Sequence, residues 1–191
     1  MNGRWRTKAS TPDGAVVIET ARLVLRQLNE RDAAFILGLL NESSFIRFIG
    51  DKGARSLDDA RRYIAEGPVA SYRTNGFGLY LVEIRDSSER IGMCGLVKRE
   101  ALVDVDIGFA FMPAHWSKGY AVEASRVVMQ LASARFGIRR VVAITSVDNE
   151  ASMRVLRKIG LTLEKTCRLP GHENPVNLFT PGVDTDRPRT H

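Results

Sequence analysis

One stretch of the chain carries the residue types of an anion site. It reads Trp116-Ser117-Lys118-Gly119-Tyr120-Ala121-Val122 and lies between a strand-like run, Phe109-Ala110-Phe111, and a helix-like one. Proline cannot donate within a ladder, so Pro113 ends the strand. Downstream, Ala124, Val127, Val128 and Leu131 recur at helical spacing, with Glu123, Arg126, Gln130 and Ser133 on the opposite face. The helix is therefore expected to start near Tyr120. The first amides of a helix have no internal acceptor and carry partial positive charge, which suits a phosphate. Small residues at Ser117, Gly119 and Ala121 would let a diphosphate approach the backbone, beside Lys118. The pattern is neither a Walker loop nor a GxGxxG fingerprint. Strand–turn–helix units of this kind also occur where nothing binds.

A second candidate is the strand 103–111. Val103, Val105, Ile107, Phe109 and Phe111 alternate with Asp104, Asp106, Gly108 and Ala110. Two carboxylates beside two minimal side chains leave room for a ligand on one face. A solvent-facing edge strand would read the same way.

The elements that must position these residues follow in order. Leu23 and Leu25 alternate with Arg22, Val24 and Arg26 in a strand starting at Ile18. Asn29, with Asp32 three residues on, caps a helix whose apolar face is Phe35, Ile36, Leu39 and Leu40. Ser56 opens a second helix with Ala60, Tyr63 and Ile64 inward. Between them, 41–55 is a long connection rich in Phe45, Ile46, Phe48 and Ile49, too apolar for an ordinary surface loop. Strands 79–85 and 90–98 flank the turn Asp86-Ser87-Ser88-Glu89. Gly137 caps the long helix. A β-branched strand, 140–145, leads to a helix with Met153, Leu156 and Ile159 inward, stopped by Gly160. Strands 163–169 and 176–179 surround a loop containing His172.

A chain of 191 residues fits one domain with a proper core. We expect flexible tails at 1–15 and 181–191 around a single domain, 16–180. No apolar run reaches the roughly 18 residues that span a bilayer, and no secretory h-region follows Arg4, Arg6 and Lys8. Cys94 and Cys167 make no disulfide framework, which points to a reducing cytoplasm. The net charge of +6 is scattered over the chain, which argues against a nucleic-acid partner and for a solvated surface. Asp, Glu, His and Cys show no metal-ligand spacing, so no metal is expected.

The six positions 116–121 resemble the Gln/Arg-x-x-Gly-x-Gly/Ala motif of the GNAT superfamily of N-acetyltransferases. Trp116 stands at the Gln/Arg position, as in the Rim-type ribosomal-protein N-acetyltransferase branch, whose version reads W-G-K-G-Y-A-x-E-A. Ser117 departs from it, and must accept a backbone conformation that glycine reaches more cheaply. The opening Ile18 to Arg26 is similar to the branch's I-x-T-x-R-L-x-L-R. The run from Asn149 to Leu161 resembles a second signature, N-x-x-S/A followed by L/V-x-x-K-x-G-F/L. Together these cover roughly residues 18–180.

The resemblance implies an α/β (α+β) fold: a mixed, mostly antiparallel central sheet of about six to seven strands with about four helices. It implies acetyl-CoA as co-substrate, held by Ser117, Lys118, Gly119, Tyr120, Ala121 and Val122 at the diphosphate. Backbone near Ala110 and Phe111 would hold the pantetheine arm and polarise the thioester. Asn149 would hydrogen-bond that arm, although Asn is also a good helix cap. Many members carry a tyrosine acid where this chain has Leu156. Rim-type members offer the serine matching Ser152, which could equally cap its own turn. Asp106 is the candidate to draw in the ammonium and accept its proton. The acceptor is a primary amine, on a protein N-terminus or a small molecule, attacking directly in a ternary complex. A homodimer is left open. The alternative is a non-catalytic acyl-CoA-binding sensor or assembly module, favoured by Leu156.

Overall fold

The computed structural model describes residues 14–182. Its strands, among the described residues, are Val16–Glu19 (β1), Leu23–Gln27 (β2), Leu79–Ile84 (β3), Arg90–Val97 (β4), Val105–Phe111 (β5), Val141–Ser146 (β6), Leu161–Cys167 (β7) and Val176–Pro181 (β8). They form one sheet in the order β1-β2-β3-β4-β5-β6-β8-β7. Every pairing is antiparallel except β5 with β6, which is parallel. The expected mixed, mostly antiparallel sheet is present, with eight strands. The additional strand arises at the start, where one strand was expected from Ile18. A turn at 20–22 folds that segment into the β1–β2 pair, with Ile18 opposite Leu25. The expected tails lie almost wholly outside the described residues. At their inner ends, the Ala15 carbonyl accepts from the Gln27 amide at 2.9 Å, and Pro181 closes β8.

Two helical layers cover the sheet. On one face lie Ala33–Leu40 (α1), Ser43–Ile49 (α2) and Leu57–Ile64 (α3), followed by Ala70–Asn75 (α4), whose Tyr72 packs instead with the other core cluster, stacked on Tyr80. On the other lie Tyr120–Phe136 (α5) and Glu150–Lys158 (α6). Strand alternation sorts the core between them. Tyr80, Val82, Cys94, Leu96, Ile107 and Phe111 pack with Ala124, Val128 and Leu131 of α5. Leu81 and Met93 pack with Ile36, Leu39, Ala60 and Ile64 of α1 and α3. Buried on both faces, β4 needs the nearly continuous apolar run that it has.

Local signals set most of the helix ends. Asn29 and Ser56 each form a capping box, with Asp32 and Asp59. Gly137 and Gly160 end α5 and α6 at positive φ. The connection 41–55, expected as an apolar loop, contains α2. Phe45 of α2 is buried at 4 % exposure, which secures this short helix by packing. The helix opened by Ser56 runs on past its expected span. A π-helical turn, Ala65–Val69, accommodates Pro68 and leads directly into α4. The strand expected at 103–111 begins at Val105, and Val103 is almost fully exposed. No helix among the described residues is long and apolar enough to cross a membrane.

Arg26, expected on an outer face by alternation, is buried. Its guanidinium makes two hydrogen bonds to Asp32, at 2.8 and 2.9 Å, and two to Glu83, at 2.8 and 3.1 Å. Asp32 is fully buried, so this network fastens the start of α1 to β2 and β3. Removing one member of a buried pair strands the other charge. Arg26→Ala is therefore expected to lose about 3–5 kcal/mol in urea denaturation; a loss below 1 kcal/mol would mean that the network is solvated and weak.

Candidate active site

β5 and β6 pair only at Val105 with Val141 and at Asp106 with Val142. Beyond that point the two parallel strands separate, and the sheet opens into a split. The amide of Met112 donates to the Ile91 carbonyl at 2.9 Å. In the same register Ala110 faces Met93 and Gly108 faces Gly95. Residues of that parity exchange hydrogen bonds with β4, so those of opposite parity aim theirs into the split. Among the described residues, the amide and carbonyl of Phe109 and the amide of Phe111 lie beyond the β5–β6 ladder on this side. Ala110 was expected among the backbone donors; its own amide belongs instead to the β4 ladder. The Phe111 carbonyl is taken by the Trp116 indole Nε1 at 2.7 Å. That bond ties the turn after β5 to the rim of the split and gives Trp116 a structural task.

The turn leads into α5 as the sequence suggests. Gly119, at φ +82, is its N-cap and makes no side-chain capping bond. Ser117 takes φ +61, a conformation costing a non-glycine residue about 1–2 kcal/mol. The first α-helical bond runs from the Glu123 amide to the Gly119 carbonyl at 3.0 Å. Among the described residues, the amides of Lys118, Gly119, Tyr120, Ala121 and Val122 have no protein acceptor. The Lys118 ammonium pairs with no described carboxylate. These features together make a concave, positively polarised turn.

Sequence reasoning missed the clasp that holds this turn. Arg22 donates to the Lys118 carbonyl at 3.0 Å and to Glu123 Oε2 at 2.7 Å. Its guanidinium lies 4.8 Å from the centre of the Tyr120 ring. Thr20 Oγ1 donates to Glu123 Oε1 at 2.6 Å. The Glu123 carboxyl is partly buried, but these bonds outweigh that cost and hold it below its usual range. Thr20 and Arg22 are both fixed positions of the opening motif, and that was the available signal. Their partner lies about a hundred residues away, where no periodicity could reveal it.

Asn149 is the N-cap of α6, and its Oδ1 accepts from the Ser152 amide at 3.0 Å. The capping reading is thus realised. The Asn149 Nδ2 group makes no hydrogen bond to the described residues and remains a free donor. The Ser152 hydroxyl, in the first turn of α6, likewise has no described partner. Because β5 and β6 run parallel, the turn at 116–121 and the cap at 149–152 both follow strand ends at the same, open end of the split. Leu156, where an acid would stand, is sealed in the core at 1 % exposure.

Asp106 does not line an open face. It sits where β5 and β6 part company, 1 % exposed, with Oδ2 bonded to Arg99 Nε at 2.5 Å, Oδ1 buried without a hydrogen bond of normal geometry, and the Ile144 amide nearby. Burial pushes this carboxyl up to about 6, against the opposing pull of Arg99 and the Ile144 amide. Asp104, expected on the same face, instead meets Arg140 at 2.9 Å near the surface. The structure thus gathers the 116–122 turn, the β5 edge and Asn149–Ser152 around one split, with Asp106 at its closed end.

The chain is also similar to known proteins. The sequence profile described as "Acetyltransferase (GNAT) domain" matches residues 22–162. An uncharacterized N-acetyltransferase of Bacillus subtilis (strain 168), YoaA, is 30% identical over 177 residues, covering 91% of this chain and 98% of its own. The crystal structure of an acetyltransferase from Agrobacterium tumefaciens str. C58 superposes with a TM-score of 0.73 at 22% identity, covering 93% of this chain and 98% of that one. A RimL ribosomal L7/L12 alpha-N-protein acetyltransferase in complex with coenzyme A gives 0.72 at 22% identity, covering 84% and 94%.

A Cβ at Gly119 would meet only the tip of Arg22, at 3.4 Å, so space is available there. The obstacle is the backbone angle. Gly119→Ala is therefore expected to destabilise the fold by about 1–2 kcal/mol, read from thermal or urea unfolding. Unchanged stability would mean that the turn relaxes to another conformation.

Proposed function

Because the chain belongs to the GNAT acetyltransferase family, and is thus an acyltransferase of the N-acetyltransferase type, we propose that it moves an acetyl group from acetyl-CoA to a primary amine by direct attack. The observation that carries this reading is the split between β5 and β6, with β5 peptide groups beyond the ladder along its edge and an unpaired amide turn at its mouth. An extended pantetheine arm has amides that can complete such an edge as another strand would. The turn from Ser117 to Val122, with Lys118 and Arg22 beside it, suits the diphosphate. Asn149 Nδ2 is a spare donor for a carbonyl of the arm.

In this reading the amine nitrogen attacks the thioester carbonyl in a ternary complex. The N–C bond forms, the C–S bond breaks, and the sulfur leaves as thiolate. The Phe111 amide, pointing into the split, stabilises the oxyanion. An incoming ammonium first gives up one proton, drawn through water toward the Asp106 carboxylate. The second proton, which the nitrogen sheds as the amide forms, reaches the thiolate through the free hydroxyl of Ser152 or through a water. Leu156 offers no proton, which leaves this task to Ser152 or water. Holding both reactants in one cleft supplies much of the rate, as in any bimolecular reaction made effectively intramolecular.

Purified protein given acetyl-CoA and a suitable amine is expected to release free CoA thiol and acetylated amine. The Asp106 carboxyl, raised to about 6 by burial, regains its proton as the pH falls through that value, so the rate should drop there. The stability sign is opposite. Burial disfavours the carboxylate, so the contribution of Asp106 to stability is greatest in acid and is lost as pH rises through about 6. Absence of CoA release across small amines, amino acids and peptide N-termini would sink the catalytic reading.

Asn149→Asp separates cofactor holding from helix capping. Aspartate keeps the cap and adds favourable charge at the start of α6, but it removes the Nδ2 donor. Thermal stability is expected to hold while calorimetric affinity for CoA falls about tenfold or more, the cost of one unreplaced hydrogen bond. Normal affinity in a stable variant would remove Asn149 from the site.

A further inference from the structure

An open cavity of about 620 Å³ lies on the α1 face of β1 to β4, outside the split. None of its lining residues belongs to β5, β6, α5 or α6. One wall is apolar, formed by Val16 of β1, Val24 of β2 and Phe35 of α1, each only partly buried. The other wall is ionic. It is formed by Arg26, Glu83 and Arg90, with Ser88 of the β3–β4 turn beside them.

The charged groups of this wall do not share their bonds equally. Every N–H of Arg26 is taken, by Glu83 Oε1, by both oxygens of Asp32 and by the Gln27 carbonyl at 3.2 Å. Arg26 has nothing left for a ligand. Arg90 is the reverse case. Its Nε stands 3.4 Å from Asp32 Oδ1 and 3.8 Å from Glu83 Oε1, near enough for attraction. Yet its guanidinium makes no hydrogen bond to the described residues, and its side chain keeps 34% exposure. Both bonds to Glu83 fall on Oε1, so Oε2 has no hydrogen bond among the described residues. The Ser88 hydroxyl likewise has no described partner. A planar cationic fork, a carboxylate oxygen and a hydroxyl thus face one cavity, uncommitted, across from an apolar wall.

Charge selects the ligand. Arg26 and Arg90 balance Asp32 and Glu83, and Asp32 is sealed from water. A bare anion or a bare ammonium would leave this wall with an uncompensated charge. A carboxylate fits the paired N–H donors of a guanidinium, and an ammonium fits a carboxylate oxygen. A molecule carrying both is net neutral and meets both needs. We propose that this cavity binds a free α-amino acid with an apolar side chain, its carboxylate on Arg90 and Ser88, its ammonium on Glu83 Oε2, and its side chain against Val16, Val24 and Phe35. The site is separate from the one at which acetyl transfer is placed, and it does not depend on that reading.

The test is calorimetric titration of the intact protein with leucine, isoleucine and phenylalanine. At least one should bind saturably with a Kd of about 1 mM or tighter. Its carboxamide lacks the carboxylate and its N-acetyl derivative lacks the ammonium, so each should bind at least about tenfold more weakly, as expected for loss of a charge-assisted contact. Arg90→Gln should weaken the amino acid about tenfold or more while the affinity for CoA holds. Arg90 makes no hydrogen bond to the described residues, so the fold should survive the change. The two derivatives are measured on the unaltered protein and decide the matter even where Arg90→Gln folds poorly. Failure of all three amino acids to bind at that level would overturn the proposal. So would a carboxamide or N-acetyl derivative that binds as tightly as its parent. Unchanged amino-acid affinity in folded Arg90→Gln would place the ligand elsewhere and overturn it as well.

Discussion

The structure depends on a pairing that stops. β5 and β6 share a parallel ladder for two residue pairs and then diverge, although each is a regular strand for several residues more. Beyond that point both strands are engaged on their other sides, β5 with β4 and β6 with β8. Both also rest on one apolar layer, in which Phe111 and Ala143 meet side chains of α5 and α6. The separation therefore costs a few hydrogen bonds without exposing the core. An unpaired strand edge is usually a hazard that proteins cover or blunt. Here it is turned inward, and the β5 edge beyond Asp106 would offer its groups to an extended polar chain.

Everything around the split serves to keep it open in one geometry. Trp116 pins the end of β5 to the following turn, and Arg22 and Thr20 hold that turn against Glu123. Ser117 and Gly119 take left-handed backbone angles so that successive amides point outward. At the far end, buried Asp106 occupies the vertex, where the chain accepts a displaced carboxyl and an unmet oxygen. Strain and unsatisfied groups gather where a ligand would relieve them, the usual mark of a working site.

What the sequence reveals follows the range of each physical cause. The α5 turn, the capping boxes at Asn29 and Ser56, and the stops at Gly137 and Gly160 depend on residues within one helical turn, and all could be read directly. The site motif was likewise local. The clasp between Arg22 and Glu123 joins residues about a hundred positions apart, and nothing in either neighbourhood marks it. The burial of Asp106 was hidden for a related reason. Alternation assigns it to a face, but only the packing of β6 and the approach of Arg99 decide whether that face meets solvent or core. The α2 helix was hidden by its length, since seven residues give periodicity too little room, and its formation rests on burying Phe45. The split itself has no sequence signature, because it is an absence of pairing between strands that are each locally complete.

The short parallel ladder also divides the molecule mechanically. Strands β1 to β4 form successive antiparallel neighbours, with β5 joined to β4 in the same manner, whereas β6, α6, β7 and β8 close on themselves within 141–181. Two internally connected halves thus meet through one brief ladder and a shared layer under α5 and α6. Such units are the natural boundaries of partial opening in amide exchange. A bound molecule lying along the split would touch both halves and act as a staple between them. Filling the gap would in this sense join two units of local stability into one.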